Sequence, residues 1–324
     1  MNLALRSFEP CDAEEWDAFC AAAHQATFLH TRRFLSYHGS RFQDRSLIIE
    51  EKDRWVGIFP AALHPSDNLC VVSHPGITYG GLLHTGGLRG EQMISAMSAI
   101  SRHYAALGYV KLIYKAVPSF YHQTPAQDDL YALFRLSALR TRCDLSSTID
   151  LRRRMPVSER RRRSLKKALK AGIEIREGCE SLPAFWQVVT GNLARKHGSS
   201  PVHTLAEVSL LIERFPDNIR CVCGMLNDAV VAGVLLFSTS FVDHAQYIAS
   251  SEVGYETSAL DAVFEHCIAT ATKEEKRWFD FGISTENAGM LLNDSLYHFK
   301  SEFGGGGFVH EFYELDLRGR QDAN

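Results

Sequence analysis

Apolar residues fall into short runs separated by polar turns, and the runs form two similar series. In the first half, residues 46–50 and 55–63 are apolar-rich and flank the polar turn EKDR, which predicts a β-hairpin; residues 69–73 form a third strand-like run. A stretch rich in glycine and turn residues, HPGITYGGLLHTGG, follows. Met93, Ile94, Met97, Ile100, Tyr104 and Leu107 then recur at helical spacing, predicting a helix over 90–107 that Gly108 ends. Strand 110–117, helix 127–139 and a strand around 148–151 complete the series. The second half repeats the order. Strands 218–226 and 229–237 are joined by Asn227–Asp228, a favourable two-residue hairpin turn. Strand 241–250, helix 258–271, strand 278–283, helix 288–303 and strand 308–317 follow. Residues 14–37 read as helix-rich, and two further helices fit near 183–197 and 204–215.

The repeat lies in the order of elements and not in identical residues. It predicts an α/β (α+β) protein of two tandem domains, each a mixed, mostly antiparallel sheet covered by helices. The expected boundaries are 1–150 and 151–317, with a polar, disordered tail over 318–324. A chain of 324 residues fits two domains. With 45% hydrophobic and 23% charged residues it is neither disordered nor low in complexity. The longest apolar run, 229–237, is far shorter than the roughly 20 residues of a membrane span. The start, MNLALRSFEPCDAEEW, lacks a signal-peptide core, so a cytoplasmic protein is expected.

Charge changes this picture at one place. The net charge is −3, yet residues 152–170 carry ten Lys or Arg against the single acid Glu159, leaving −12 for the rest of the chain. Such a segment favours phosphate-rich partners: transfer RNA, a nucleotide-sugar or an anionic lipid surface. It lacks interleaved aromatics for stacking single-stranded bases. The eight cysteines form no metal-binding spacing, and Cys221 and Cys223, two apart in a strand, read as small core residues. No P-loop, HExxH, GxSxG or EF-hand pattern occurs.

Three stretches resemble the GNAT acyltransferases, and specifically their tandem-domain, Fem-type (FemAB-like) peptidyltransferase group. FLHTRRFLSYH at 28–38 is similar to that group's F-x-Q-(S/T)-x-x-W-x-x-x-K. SERRRRSLKKALKAGIEI at 158–175 is similar to its basic helix, A-x-x-x-G and strand. FDFGISTENAGMLLNDSLYHFKSEFGG at 279–305 is similar to its strand–loop–helix ending in FK-x-x-FG. The resemblance spans about residues 5–317. It implies an enzyme with two GNAT-like domains that joins an activated acyl group to an amine, with no tightly bound cofactor. The cosubstrate is acyl-CoA or aminoacyl-tRNA, and the acceptor is an amine on a sugar nucleotide or a cell-envelope or polysaccharide precursor. The other class left open is a non-catalytic module that binds RNA or an anionic membrane through 152–170.

The resemblance also distributes roles. Lys300, in FKSEFG, falls where a lysine lies near the acyl centre and suits an oxyanion; otherwise it is a solvated helix lysine paired with Glu302. Tyr247, His244, Tyr255 and Asp280 are the acid–base candidates near the donor cleft. His38 falls where the family pattern has a phosphate-holding lysine, and Arg32, Arg33 and Arg41 lie nearby. His38, Arg41, His74 and Tyr79 are expected to line an acceptor groove between the domains, with Tyr121 and His122 as further substrate contacts. Gly80 and Gly81 would allow backbone to approach a ligand closely. The usual pyrophosphate loop is replaced by SSEVGYETSAL, where Glu252 and Glu256 oppose a phosphate. Thr257 and Ser258, at the expected start of a helix, and Arg161 and Arg162 are the donor-binding candidates.

Overall fold

A computed structural model describes residues 3–319. In chain order the first half holds β1 (Ala4–Ser7), α1 (Ala13–Ala22), α2 (Arg32–Leu35), β2 (Leu47–Glu51), β3 (Arg54–Phe59), β4 (Ala62–His64), β5 (Asp67–Val72), β6 (Leu83–His84), α3 (Glu91–Ala106), β7 (Lys111–Lys115), α4 (Asp128–Arg135) and β8 (Leu139–Asp150). The second holds α5 (Glu159–Lys170), β9 (Glu174–Glu177), α6 (Leu182–His197), α7 (Leu205–Arg214), β10 (Ile219–Leu226), β11 (Ala229–Ser238), β12 (Val242–Ser250), α8 (Glu252–Thr257), α9 (Ala259–Lys273), β13 (Trp278–Ile283), β14 (Thr285–Glu286), β15 (Leu291–Leu292), α10 (Asp294–Ser301) and β16 (Gly306–Asp316).

The chain divides into two compact units. The first runs to Asp144 and adds Asn287–Met290 and the residues from Val309; the second is Leu145–Glu286 with Leu291–Phe308. The first unit packs α3 over strand neighbours, burying Met93, Met97, Ile100 and Tyr104 with Phe59, Leu112 and Tyr114. Leu107 is the exception on the expected apolar face: it follows the last helical residue and is exposed. The second unit orders its strands β8-β13-β12-β11-β10-β9. There α9 covers one sheet face through Val263, Phe264, Cys267 and Ile268. Asn227 and Asp228 both take positive φ, 49° and 60°, as the hairpin turn requires.

The units depart from the expected 1–150 and 151–317 halves in one systematic way. Residues 146–150 of β8 pair antiparallel with β13 in the second unit. Residues 312–316 of β16 pair antiparallel with β7 in the first. Each half therefore ends in a strand that completes the other half's unit.

Two expected elements break where backbone chemistry demands it. The run 55–63 divides at Pro60, which has no N–H for a ladder, and feeds β3 and β4 into different strand sets. The helix expected over 288–303 begins only at Asp294. Asn287, Ala288 and Gly289 have φ of 47°, 52° and 86°, and β14 pairs with β15 instead. Cys221 and Cys223 are buried on one face of β10 as core residues, with free thiols whose sulfurs lie 3.7 Å apart. Of the tail expected over 318–324, residues 320–324 lie outside the described residues.

Candidate active site

The second unit contains a fork. β12 and β13 run parallel and pair only at Val242↔Trp278, Asp243↔Phe279 and His244↔Asp280. Beyond that rung β12 continues to Ser250 against β11 alone. Parallel strands that part at their C-terminal ends open a crevice where ligands commonly sit. His244 and Asp280 stand at its base.

Asp280 is fully buried and its carboxylate is held from three directions. Thr148 Oγ1 donates at 2.8 Å and Ser146 Oγ donates to the same oxygen, Oδ1. His244 Nδ1 lies 2.6 Å from Oδ2. A carboxylate accepts, so Nδ1 carries the proton and Nε2 is left as the basic nitrogen. The His244 side chain is 12% exposed against 0% for Asp280, so the imidazole is the member that can reach a substrate. Gly282 follows at φ 75°, a left-handed conformation that favours glycine, beside the His244 ring.

The bulge in β12 adds two features. Leu235 pairs with Tyr247 and Leu236 with Ala245, so Gln246 is the extra residue. A bulged residue interrupts the regular ladder and bends the strand locally. The extra residue also corrects the facing of the strand. Because Phe237 pairs with His244 and Leu235 with Tyr247, the two side chains share the face opposite α9. Tyr247 Oη meets His203 Nδ1 at 2.7 Å and its ring packs edge-on to Trp186. Burial raises the Tyr247 pKa, so the phenol keeps its proton at neutral pH.

Lys300 is buried beside the fork, at 4% exposure. Its ammonium donates to the carbonyls of Gly282, at 3.0 Å, and Ile283, at 2.7 Å. It is not the solvated partner of Glu302, which lies 3.1 Å from Arg161. Burial pulls the Lys300 pKa down to about 8, against an upward pull from Asp280. The folded state therefore binds fewer protons than the unfolded chain between pH 8 and 10.5, and stability rises with pH across that window. Paired thermal melts should show the native protein gaining on Lys300→Met from pH 8 to 10.5; a constant gap would contradict the burial argument.

The first unit has a matching parallel pair, β5 with β7, at Cys70↔Lys111 to Val72↔Ile113. Here the chain itself fills the opening. Ser73 Oγ accepts from the Lys115 amide at 2.7 Å, the Gly80 amide donates to Lys115 O at 3.0 Å, and Lys115 Nζ donates to the carbonyls of His74 and Ile77. Gly80 is glycine for that closure: a Cβ would sit 1.9 Å from Ser73 O. Gly76 is likewise pressed against His38 Nε2. The close approach expected at Gly80 is to the protein's own backbone.

The acceptor candidates all belong to this first unit. His38 and His74 are buried together, rings 5.2 Å apart. Both His38 nitrogens face backbone carbonyls, Leu35 O at 2.9 Å and Gly76 O at 3.0 Å, so the ring serves the fold. His74 sits at φ 58°, its pKa pushed well down by burial and by the neighbouring His38. Arg41 is exposed. Tyr79 and Tyr121 are buried with rings 4.5 Å apart, and Tyr79 donates to Thr27 at 3.2 Å. His122 meets Val117 O at 3.0 Å, and burial lowers its pKa to about 4.

The donor candidates are differently placed from the sequence expectation. α9 starts at Ala259 and is preceded by the short α8, so Thr257 ends a helix and donates to Val253 O at 2.7 Å. Ser258 is the left-handed joint between the helices, at φ 61°. Gly254 abuts Val231 O, 2.3 Å from where its Cβ would be. Arg161 is buried, donating to Asp261 at 2.8 Å with Glu302 on its other side, whereas Arg162 is exposed and paired with Glu159. Sequence reasoning placed Tyr247, His244, Tyr255 and Asp280 near the donor cleft and Lys300 near the acyl centre, but missed Ser146, Thr148 and His203. Only pairing across strands reveals those three.

Residues 152–300 match the family model described as Acetyltransferase (GNAT) domain, a span containing the whole β12–β13 fork. Among curated proteins no match is found. Solved structures agree in fold. One described as FemX has a TM-score of 0.66 at 11% identity, covering 97% of each chain. The C-terminal domain of a putative lysylphosphatidylglycerol synthetase from Agrobacterium fabrum has 0.63 at 9%, covering 96% of this chain and 94% of that one. A tandem GNAT protein from the clavulanic acid biosynthesis pathway has 0.56 at 12%, covering 98% and 99%. Residues 152–300 thus carry a GNAT acetyltransferase domain, and the chain as a whole has the fold of two tandem GNAT-like domains. Among the described residues, no helix is long and apolar enough to cross a membrane.

Proposed function

We propose that the second unit transfers an acyl or aminoacyl group from acyl-CoA or aminoacyl-tRNA to an amine of a sugar nucleotide or cell-envelope precursor. The observation that carries this reading is the His244–Asp280 pair at the base of the open fork, inside the segment that matches the acetyltransferase domain. The first unit's fork is filled by its own chain, which leaves the second as the donor site.

His244 Nε2 removes a proton from the acceptor ammonium, and the neutral nitrogen attacks the donor carbonyl carbon. Asp280 stabilises the imidazolium that forms. Negative charge developing on the carbonyl oxygen meets the backbone at the Gln246 bulge, with the Lys300 charge nearby. As the tetrahedral intermediate expels the donor's thiolate or ribose alkoxide, Tyr247 gives the leaving atom its proton and takes back the second proton of the attacking nitrogen, which leaves the neutral amide. Thr257, Ser258 and Arg162 remain the assignment for the donor's phosphates, and Arg161 is withdrawn because Asp261 and Glu302 hold it. The aminoacyl branch gains support from the fold shared with FemX and the putative lysylphosphatidylglycerol synthetase domain.

Single-turnover assays of amide formation, with acetyl-CoA, longer acyl-CoAs and charged tRNA each offered to an amine panel, test the reading. Turnover with one donor class names the donor. No amide from any donor contradicts the proposal.

A further inference from the structure

We infer that α5 is a preformed docking face for the anionic phospholipid headgroups of a bilayer. The inner side of α5 is fastened to its own unit. Arg161 is held by Asp261 and Glu302, while Leu165 and Ala168 pack in the core beneath α9. Ser158 caps the N-terminus by accepting from Arg161 N at 3.2 Å. The outer side is cationic and exposed: Arg160, Arg162, Arg163, Lys166, Lys167 and Lys170. At 100° per residue these six occupy an arc of about 160° along about 15 Å of helix. Arg152 and Arg153, just upstream, are exposed as well. The one acid on the helix, Glu159, is paired to Arg162 at 2.7 Å.

Two exposed apolar side chains separate lipid from RNA as the partner. Leu169 is 62% exposed and lies at the edge of the cationic arc, one turn from Lys166; Met155, in the segment before the helix, is 49% exposed. A nucleic-acid backbone has no use for a bare leucine among lysines, and no aromatic side chain stands in 152–170 to stack on a base. At a bilayer the same pattern is productive. Cations meet headgroup phosphates while the apolar side chains enter the acyl boundary. Because the inner face already fixes the helix, binding carries no folding cost. The inference is independent of the acyl-transfer reading, and its test uses no donor.

The full chain is sedimented with vesicles of phosphatidylcholine alone or mixed with phosphatidylglycerol. It should pellet with the mixed vesicles at low salt and be released as salt rises. Each cation near an anionic surface is worth roughly fivefold in affinity, so R160A/R163A/K167A/K170A should bind about two to three orders of magnitude more weakly. Leu169→Ser alone should lose about tenfold. Both sets of side chains are exposed, and unchanged melting temperatures confirm that the variants fold. Equal binding to neutral vesicles, no binding to anionic ones at low salt, or tighter retention of transfer RNA than of anionic vesicles at the same salt would each overturn the inference.

Discussion

His244→Ala lowers kcat for acyl transfer by about 10²–10⁴-fold, the usual worth of a positioned general base, with little change in melting temperature. The stability expectation follows from what stays behind: Asp280 retains Ser146 and Thr148 as donors after the imidazole is removed. Asp280→Asn should fall in the same range by a different route. An amide in place of the carboxylate no longer fixes the proton on Nδ1, so Nε2 ceases to be the base in part of the population. Steady-state kinetics of both variants, with circular dichroism as the folding control, check this. A loss under tenfold in His244→Ala would remove the residue from the chemistry.

The largest expected effect on stability is at Arg161. Its guanidinium reaches Asp261 at 2.8 Å and Glu302 at 3.1 Å and lies over the Phe299 ring, 4.8 Å from its centroid. Arg161 and Asp261 side chains are each 6% exposed. Arg161→Met keeps the packing volume but strands two carboxylates away from water, which costs about 3–5 kcal/mol. Urea unfolding midpoints measure it. Restoring balance by also replacing Asp261 and Glu302 with apolar residues should recover most of the loss, because the charges are costly only when unpaired. A single-variant loss below about 1 kcal/mol would show that the three charges are well hydrated.

The helices and strands of both halves were readable from periodicity because burial imposes it: α3 and α9 bury the faces that their spacing marks. The exchange of β8 and β16 between the units was not readable, since a strand has the same alternation whichever neighbour it joins. Lys300 was visible through its motif, but its partners are carbonyls, which carry no sequence signal. The His244–Asp280 pair was hidden for a related reason. The residues are 36 apart in sequence and meet only through parallel register, and the bulge at Gln246 reverses the facing that plain alternation gives Tyr247. The glycines at 76 and 80 signalled close approach correctly, yet the approaching atoms belong to His38 and Ser73. Composition records that space is needed, not what fills it.

The central claim is that the donor enters the fork of the second unit. Hydrogen exchange of the backbone amides, with and without a non-reactive thioether analogue of acyl-CoA or an amide-linked analogue of aminoacyl-tRNA, tests it most directly. The account predicts protection over residues 244–248 and 280–284, with the filled fork around 73–80 unchanged. Protection confined to 73–80, or none at 244–248 with either bound analogue, would contradict it.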